Sequence, residues 1–479
     1  MTAHTLTLLA PLIAVGATVV AVLIVLCIHR SHRITVALTL AGIAVAFLTL
    51  LRPDIAPPLS ATALLVFDDY ARFYTGLILA ATAAVILLSF GYLERRHEQH
   101  DEYYLLLLLA ALGSIVLVSA THFASLFLGL ELLSVSLYAL IAYTRTRKQS
   151  IEAAVKYLVL AAVSAAFLLF GMALVYAALG TMEFARMTSM PIDAPGSVVV
   201  LVGVGLVIVG FGFKLALVPF HLWTPDVYQG APAPVAAFVA TVSKGAMFAV
   251  LLRYFTIIDV HAHHSVFLIF VILAIASMVA GNLLALLQDN VKRLLAYSSI
   301  AHLGYLLVAF LASGTLAVTA ITFYLVAYFV TMIGAFGVVT VLSSADREAE
   351  HLDQYRGLFA RRPWLCAIFT AMLLSLAGIP LTAGFVGKFY LTVAAGGAAL
   401  WSLLIVMMVT SGIGLFYYLR IIVAMFMEPA IAASAGREPS RLPLIAGLTL
   451  WALSAALVFL GVYPAPLIRI IRIMVIGPG

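Results

Sequence analysis

The chain has 479 residues, 65% of them hydrophobic and only 10% charged, with a mean hydropathy of +1.17. A soluble domain carries about 25% charged residues, so this composition excludes one and points to an integral membrane protein. The net charge of +6 does not read as a nucleic-acid surface, because the basic residues sit in short connections between apolar runs.

About fourteen such runs follow one another, near 6–28, 34–51, 72–93, 103–119, 122–143, 153–178, 197–219, 234–256, 265–286, 294–313, 316–343, 363–394, 399–427 and 443–463. Each is long enough for a helix to cross a ~30 Å hydrocarbon core, and none alternates as a barrel strand would. The predicted fold is an all-α polytopic membrane protein with one compact membrane domain. The first run is too long for a signal peptide and lacks its small-residue cleavage pattern, so it reads as a retained span.

Redox chemistry is not expected in this polypeptide. Cys27 and Cys366 lie far apart, and two thiols fall short of the roughly four that an iron–sulfur cluster needs. The glycines of "GVGLVIVGFG" are wrongly spaced for a dinucleotide fingerprint.

With the N-terminus outside, the inner connections hold Arg30, Arg33, Arg95, Arg96, Arg145, Arg147, Lys148, Lys292, Arg293, Arg347, Arg356, Arg361, Arg362, Arg437 and Arg441. The outer side holds Arg52, Arg72, Arg186, Arg253, Arg469 and Arg472. This imbalance predicts both termini on the periplasmic side. The polar stretch Ser343–Pro363 is amphipathic enough for a short helix on the inner surface, and "PAPLIRIIRIMVIGPG" reads as an interfacial stub.

Within the spans, Lys156, Lys214, Lys244, Lys388 and Arg420 remain, with the acids Glu131 and Glu152. A charge at the bilayer centre costs about 2.5–3.5 kcal/mol on insertion scales, so each needs a reason. Glu131, mid-way along the fifth run, is the one deep carboxylate in this reading. It is either a structural acid or a proton carrier. Lys214 is its natural partner. Burial disfavours the charged form of a side chain and a nearby opposite charge favours it. A Glu–Lys pair that opens and closes would therefore switch the lysine between holding and releasing a proton. A static ion pair would have the same sequence.

Pro219 interrupts the seventh run just beyond Lys214, and Pro380, with Gly378, Gly384 and Gly387, interrupts the twelfth before Lys388. Broken helices in paired positions point to an ion path between two repeats. Lys244 stands near the middle of the eighth run, suited to a relay station. His302, near Tyr297, Ser298 and Ser299, is either a relay or a hydrogen-bonded core histidine. Lys156 and Glu152 are spaced as a local i,i+4 pair, or line an inlet. His221 is a candidate gate or a loop histidine. Arg420 reads as structural, and "HAHH" (261–264) has no consistent metal-ligand spacing.

The stretches "FLGLELLSVSLYALIAY", "GFKLALVPFHLWTPDVYQGAPAPVAAFVATVSK", "NVKRLLAYSSIAHLGY" and "LSLAGIPLTAGFVGKFY" resemble the antiporter-like membrane subunits of respiratory complex I, of the subunit N type. The resemblance covers at least Asp101 to Met427. It implies about 14 transmembrane helices, with two inverted five-helix repeats (spans 4–8 and 9–13) and broken helices 7 and 12. The corresponding segments are 1–100 (N-terminal, three helices), 101–256 (first repeat), 257–427 (second repeat) and 428–479 (C-terminal helix and stub). It further implies proton translocation through Glu131, Lys214, Lys244, His302 and Lys388, in a bacterial inner membrane, driven by quinone reduction elsewhere. NADH, FMN, iron–sulfur clusters and quinone would belong to partner subunits, among them further antiporter-like ones. No cofactor or metal is expected in this chain. Two departures stand out: Val135–Ser136, where relatives often show Leu–Pro, and Gln229, where many have Glu. A subunit of a multi-component cation/proton antiporter or membrane-bound hydrogenase is the alternative, and a structural spacer with silent lysines a third reading.

Overall fold

The computed structural model describes residues 3–51, 62–96, 101–189, 197–258, 260–345, 347–428 and 443–476. Arg52, Arg437 and Arg441, used above for orientation, lie outside the described residues. Among the described residues, thirteen helices are long and apolar enough to cross a membrane, and extended structure is confined to isolated bridges.

In chain order the helices are α1 (Ala10–Ile28), α2 (His32–Leu50), α3 (Asp69–Glu94), α4 (Asp101–Val118), α5 (Phe123–Ile141), α6 (Lys148–Leu179) and α7 (Ser197–Leu215). After a break come the short α8 (Trp223–Gly230) and α9 (Ala233–Ile257). Then follow α10 (His264–Leu286), α11 (Val291–Ala312), α12 (Gly314–Leu342), α13 (Pro363–Ala377), α14 (Ala383–Gly397), α15 (Trp401–Phe426), α16 (Leu444–Val462) and α17 (Ala465–Ile471). The twelfth run is thus two helices, α13 and α14, parted at Gly378–Thr382. The terminal stub is helical over α17.

Local chemistry sets many of the ends. Asp68 caps α3 by accepting from the Ala71 amide (2.8 Å), and Asn290 caps α11 by accepting from Arg293 (3.1 Å). Gly378, at φ 85°, closes α13 in the left-handed region that suits glycine. At Val135–Ser136 helix α5 runs on unbroken to Ile141; the Ser136 hydroxyl bonds back to the Leu132 carbonyl at 2.7 Å.

Position in the bundle follows sequence. Helices α9, α11 and α12 are almost wholly surrounded by protein, whereas α1, α2, α6, α15 and α16 keep a broad apolar face outward. The outer ring suits lipid or neighbouring subunits, and the inner three helices carry Lys244 and His302. Midway along α9, Val239–Ser243 forms one wide π-helical turn directly before Lys244. Such turns are rare and concentrate at functional sites. The sequence reading treated this run as a plain helix.

Candidate functional site

The first break begins two residues after Lys214. Helix α7 ends at Leu215, Ala216 takes φ 60°, and the Val218–Pro219 peptide is cis. Polar groups freed there find partners inside the protein, as a membrane interior demands. The Leu217 amide donates to the Gly212 carbonyl (2.8 Å), the Val218 amide to Ser277 Oγ (2.9 Å) and the Trp223 indole to the Phe213 carbonyl (2.9 Å).

Lys214 is 3% exposed and donates from Nζ to Ser134 Oγ at 2.7 Å and Tyr157 Oη at 2.9 Å, with the Tyr157 ring 5.2 Å away. Glu131 lies three residues before Ser134 on the same face of α5 and is half-buried. Among the described residues no ion pair joins Glu131 to Lys214. The expected pair is therefore open in this structure, with neutral hydroxyls holding the ammonium group.

From Lys214 the polar run continues inward. Tyr157 packs on Trp223 (4.8 Å between ring centres), and Lys244 stands over Trp223 and Tyr228 at 5.9 and 5.3 Å. Lys244 is 1% exposed and donates to Ser299 Oγ at 2.7 Å. Ser299 also accepts from Tyr328 Oη at 2.8 Å and meets Tyr228 Oη at 3.3 Å. The Tyr328 ring lies 5.6 Å from that of His302. His302 bonds through Nδ1 to Tyr324 Oη (2.5 Å) and through Nε2 to Tyr418 Oη (3.1 Å), and Tyr418 bonds on to Ser298. The partners of His302 thus come from α12 and α15. Of the polar residues beside it in sequence, Ser298 reaches it only through Tyr418.

A small cavity lined by His302, Tyr324, Tyr328, Thr331, Ser375 and Leu376 leads towards the second break. Lys388 lies beyond that break, in α14, and reaches back across it. Its Nζ donates to the carbonyls of Leu376 and Ala377, both at 2.9 Å, and to Ser411 Oγ at 2.7 Å, with the Tyr305 ring at 5.3 Å. The last carbonyls of α13 would otherwise be orphaned, and they carry the negative end of the helix dipole. The two lysines therefore differ: Lys214 precedes its break and bonds to hydroxyls, while Lys388 follows its break and bonds mainly to backbone. Pro380 sits inside the second gap, beside Leu381 at φ 72°.

The face that carries the connections after α3, α5, α10 and α12 holds a second concentration of charge, expected from the sequence to lie in solvated connections. Glu348 is fully buried and takes Arg96 at 2.8 Å, Lys292 at 3.4 Å and Arg147 at 3.8 Å, together with the Tyr92 hydroxyl. Lys292, equally buried, also donates to the Ala231 carbonyl at 2.6 Å, just after α8. Glu350 adds a contact to Arg147 (3.4 Å) and accepts from Asn290 (3.0 Å). Glu131 is therefore not the one deep carboxylate. Burial opposes ionisation of Glu348, but Lys292, Arg96 and Arg147 outweigh it and hold its carboxyl below the usual range. The Ser343–Pro363 connection is correspondingly not a surface helix. It contains two short helical turns, Leu352–Tyr355 and Leu358–Arg361, and buries Glu348 and Tyr355.

Lys156 bonds Glu152 at 2.7 Å, as the i,i+4 spacing predicts, but the pair is solvent-accessible and Asp226 of α8 joins it at 2.9 Å. Asp226 also takes Arg293 at 2.7 Å, and Arg293 donates to Gln229 at 3.1 Å. His221 is buried in the first break, and its Nδ1 has no hydrogen-bond partner among the described residues. Arg420 holds the carbonyls of Leu286 and Gln288 at the end of α10, and His261 bonds Ser313 at 2.8 Å.

Fold and polar run together define the antiporter-like class of polytopic membrane proteins. Residues 120–414 match the family model described as NADH:quinone oxidoreductase/Mrp antiporter, transmembrane. A curated relative from Ectopseudomonas mendocina, named NADH-quinone oxidoreductase subunit N, is 49% identical over 98% of this chain and 97% of its own. A chain of respiratory complex I from Thermus thermophilus with bound aureothin is 35% identical, with TM-score 0.82 over 96% of this chain and 98% of that one. A chain of the Mrp complex from a Dietzia species shares the fold at TM-score 0.85, over 98% of this chain and 96% of that one, but only 20% identity. The chain belongs to the NADH-quinone oxidoreductase subunit N family.

Proposed function

We propose that this chain is the proton-translocating membrane-arm subunit of a bacterial NADH:quinone oxidoreductase. It contributes no redox centre; NADH, FMN, iron–sulfur clusters and quinone are handled by partner subunits, among them further antiporter-like ones. The observation that carries the reading is the succession of buried polar groups from Lys214 through Lys244 and His302 to Lys388, joined by the packing of Tyr157, Trp223 and Lys244 and by the small cavity beside His302, each lysine held by neutral partners. Buried amines without a fixed counter-charge are suited to gaining and losing protons. Glu131 lies at one end of the run as the acid that closes on Lys214, and Lys388 at the other as the exit group. Pro219 and Pro380 keep the helices open beside them, and Lys156 and His221 stand towards an inlet.

The repeats at 101–256 and 257–427, flanked by 1–100 and 428–479, place one broken helix in each half. The chain resides in the inner membrane with both termini periplasmic, as the basic-residue imbalance supports. Moving one proton against 100 mV requires about 2.3 kcal/mol, which quinone reduction in the partners supplies.

The test is to purify the tagged protein in mild detergent and assay the eluate for flavin, iron–sulfur absorbance and NADH:quinone activity. Co-elution of all three is expected. Elution with only membrane subunits that support cation/proton exchange would overturn the reading in favour of an antiporter. Normal proton yield from an assembled Lys214→Met complex would instead leave the chain as a spacer.

A further inference from the structure

The C-terminal helix α16 and the stub α17 take no part in the polar run, yet they pack on the element that holds its last lysine. Leu460, Ile468 and Ile471 share one apolar cluster with Phe323, Ala327 and Ala383. Ala383 is the first residue of α14, and Ala327 also lines the cavity beside His302. At Gly461 the contact is backbone to backbone. A Cβ there would stand 2.6 Å from the Thr382 carbonyl carbon and would overlap the Leu381 carbonyl oxygen. No side chain fits without moving the break or the helix.

Leu381 has φ 72°, a conformation that a leucine rarely adopts and that its surroundings must enforce. Thr382 caps α14, accepting from the Phe385 amide at 3.4 Å. Lys388 lies six residues further on, and the carbonyls that hold it lie four and five residues before Leu381. We infer that α16 positions the Lys388 cradle, with Gly461 as the contact through which it fixes the second break. The role rests on the proposed function of Lys388. Gly461 acts through the break and touches no proton carrier itself.

The same helix supplies an internal control. The nearest atom to a Cβ at Gly447 is Trp364 Cη2, at an unstrained 3.9 Å. Gly461→Val and Gly447→Val are made in the intact complex, with Gly461→Ala as the milder variant should valine prevent assembly. Hydrogen exchange is read over Gly378–Gly384, and proton yield per NADH with its pH profile is read per assembled complex, alongside Lys388→Met. We expect Gly461→Val to raise exchange at the break about tenfold or more. Its proton yield should fall towards that of Lys388→Met and its pH profile should move, while Gly447→Val matches the parent. Unchanged exchange at the break, or an altered proton yield equal in the two glycine variants, overturns the inference. Normal proton yield in Lys388→Met sinks the functional reading of that lysine, while exchange still decides whether α16 holds the break.

Discussion

Two regions of the molecule bury charge in opposite ways. Among the connections at one end of the bundle Glu348 meets Arg96, Lys292 and Arg147, so cations and carboxylate neutralise one another. In the membrane interior Lys214, Lys244 and Lys388 meet hydroxyls, carbonyls and aromatic faces. A buried pair is costly to break, because the remaining charge is stranded. An amine held by neutral groups can change protonation without stranding an ion. Pairing, more than depth, separates the charges that tie connections together from those suited to translocation.

The sharpest way to break this comparison is Glu348→Gln. It leaves the buried cations Arg96 and Lys292 without their carboxylate, while the half-buried Arg147 keeps Glu350, and should cost about 3–5 kcal/mol, read as lower thermal stability of the assembled complex. Proton yield per NADH in the surviving complex should stay near normal; a selective loss of yield would merge the two regions. The sign of the pH dependence follows from the depressed carboxyl. Its stabilisation is fully present above the unfolded value of about 4.3 and is lost as pH falls through the lower folded value. The parent and Glu348→Gln should therefore differ most near neutral pH and converge in acid, in thermal inactivation measured across that range.

Lys388→Met should come next. It removes the donor to two helix-end carbonyls, at about 1–3 kcal/mol for each one left unsatisfied, and lowers proton yield. Lys214→Met should lower proton yield similarly with a smaller loss of stability, about 1–3 kcal/mol in all, because Ser134 keeps its bond to the Leu130 carbonyl and only the Tyr157 hydroxyl loses its partner. Equal melting shifts in the two variants would erase the difference between the breaks. Ser299→Ala should have the smallest effect, slowing proton translocation by about tenfold or less with assembly unchanged, measured as pumping rate in proteoliposomes.

The sequence conveyed the spans well, because apolar runs of membrane length leave little room for another reading. Broken helices were visible too, since proline and glycine mark them locally at Pro219 and Pro380. The Glu348 cluster was not. "SSADREAEHLDQYRG" looks solvated residue by residue, and Glu348 finds Arg96 across 252 positions, a pairing no local pattern carries. The π-helical turn before Lys244 was hidden for the opposite reason: its run is apolar and regular in composition. For Glu131 and Lys214 the spacing allowed both an open and a closed pair, and the open arrangement emerges only from where Ser134 and Tyr157 sit.

Ser299 carries a consequence of its own. A hydroxyl has one hydrogen and two lone pairs, and here Lys244 and Tyr328 occupy both lone pairs, which turns the hydrogen towards Tyr228. Once Lys244 becomes a neutral amine it offers a lone pair, and the same hydrogen can swing towards it. The orientation of one small rotor thus follows the protonation of the central lysine: the Tyr328 hydroxyl donates to Ser299 in either state, and Tyr228 alone sees its hydrogen bond reverse direction.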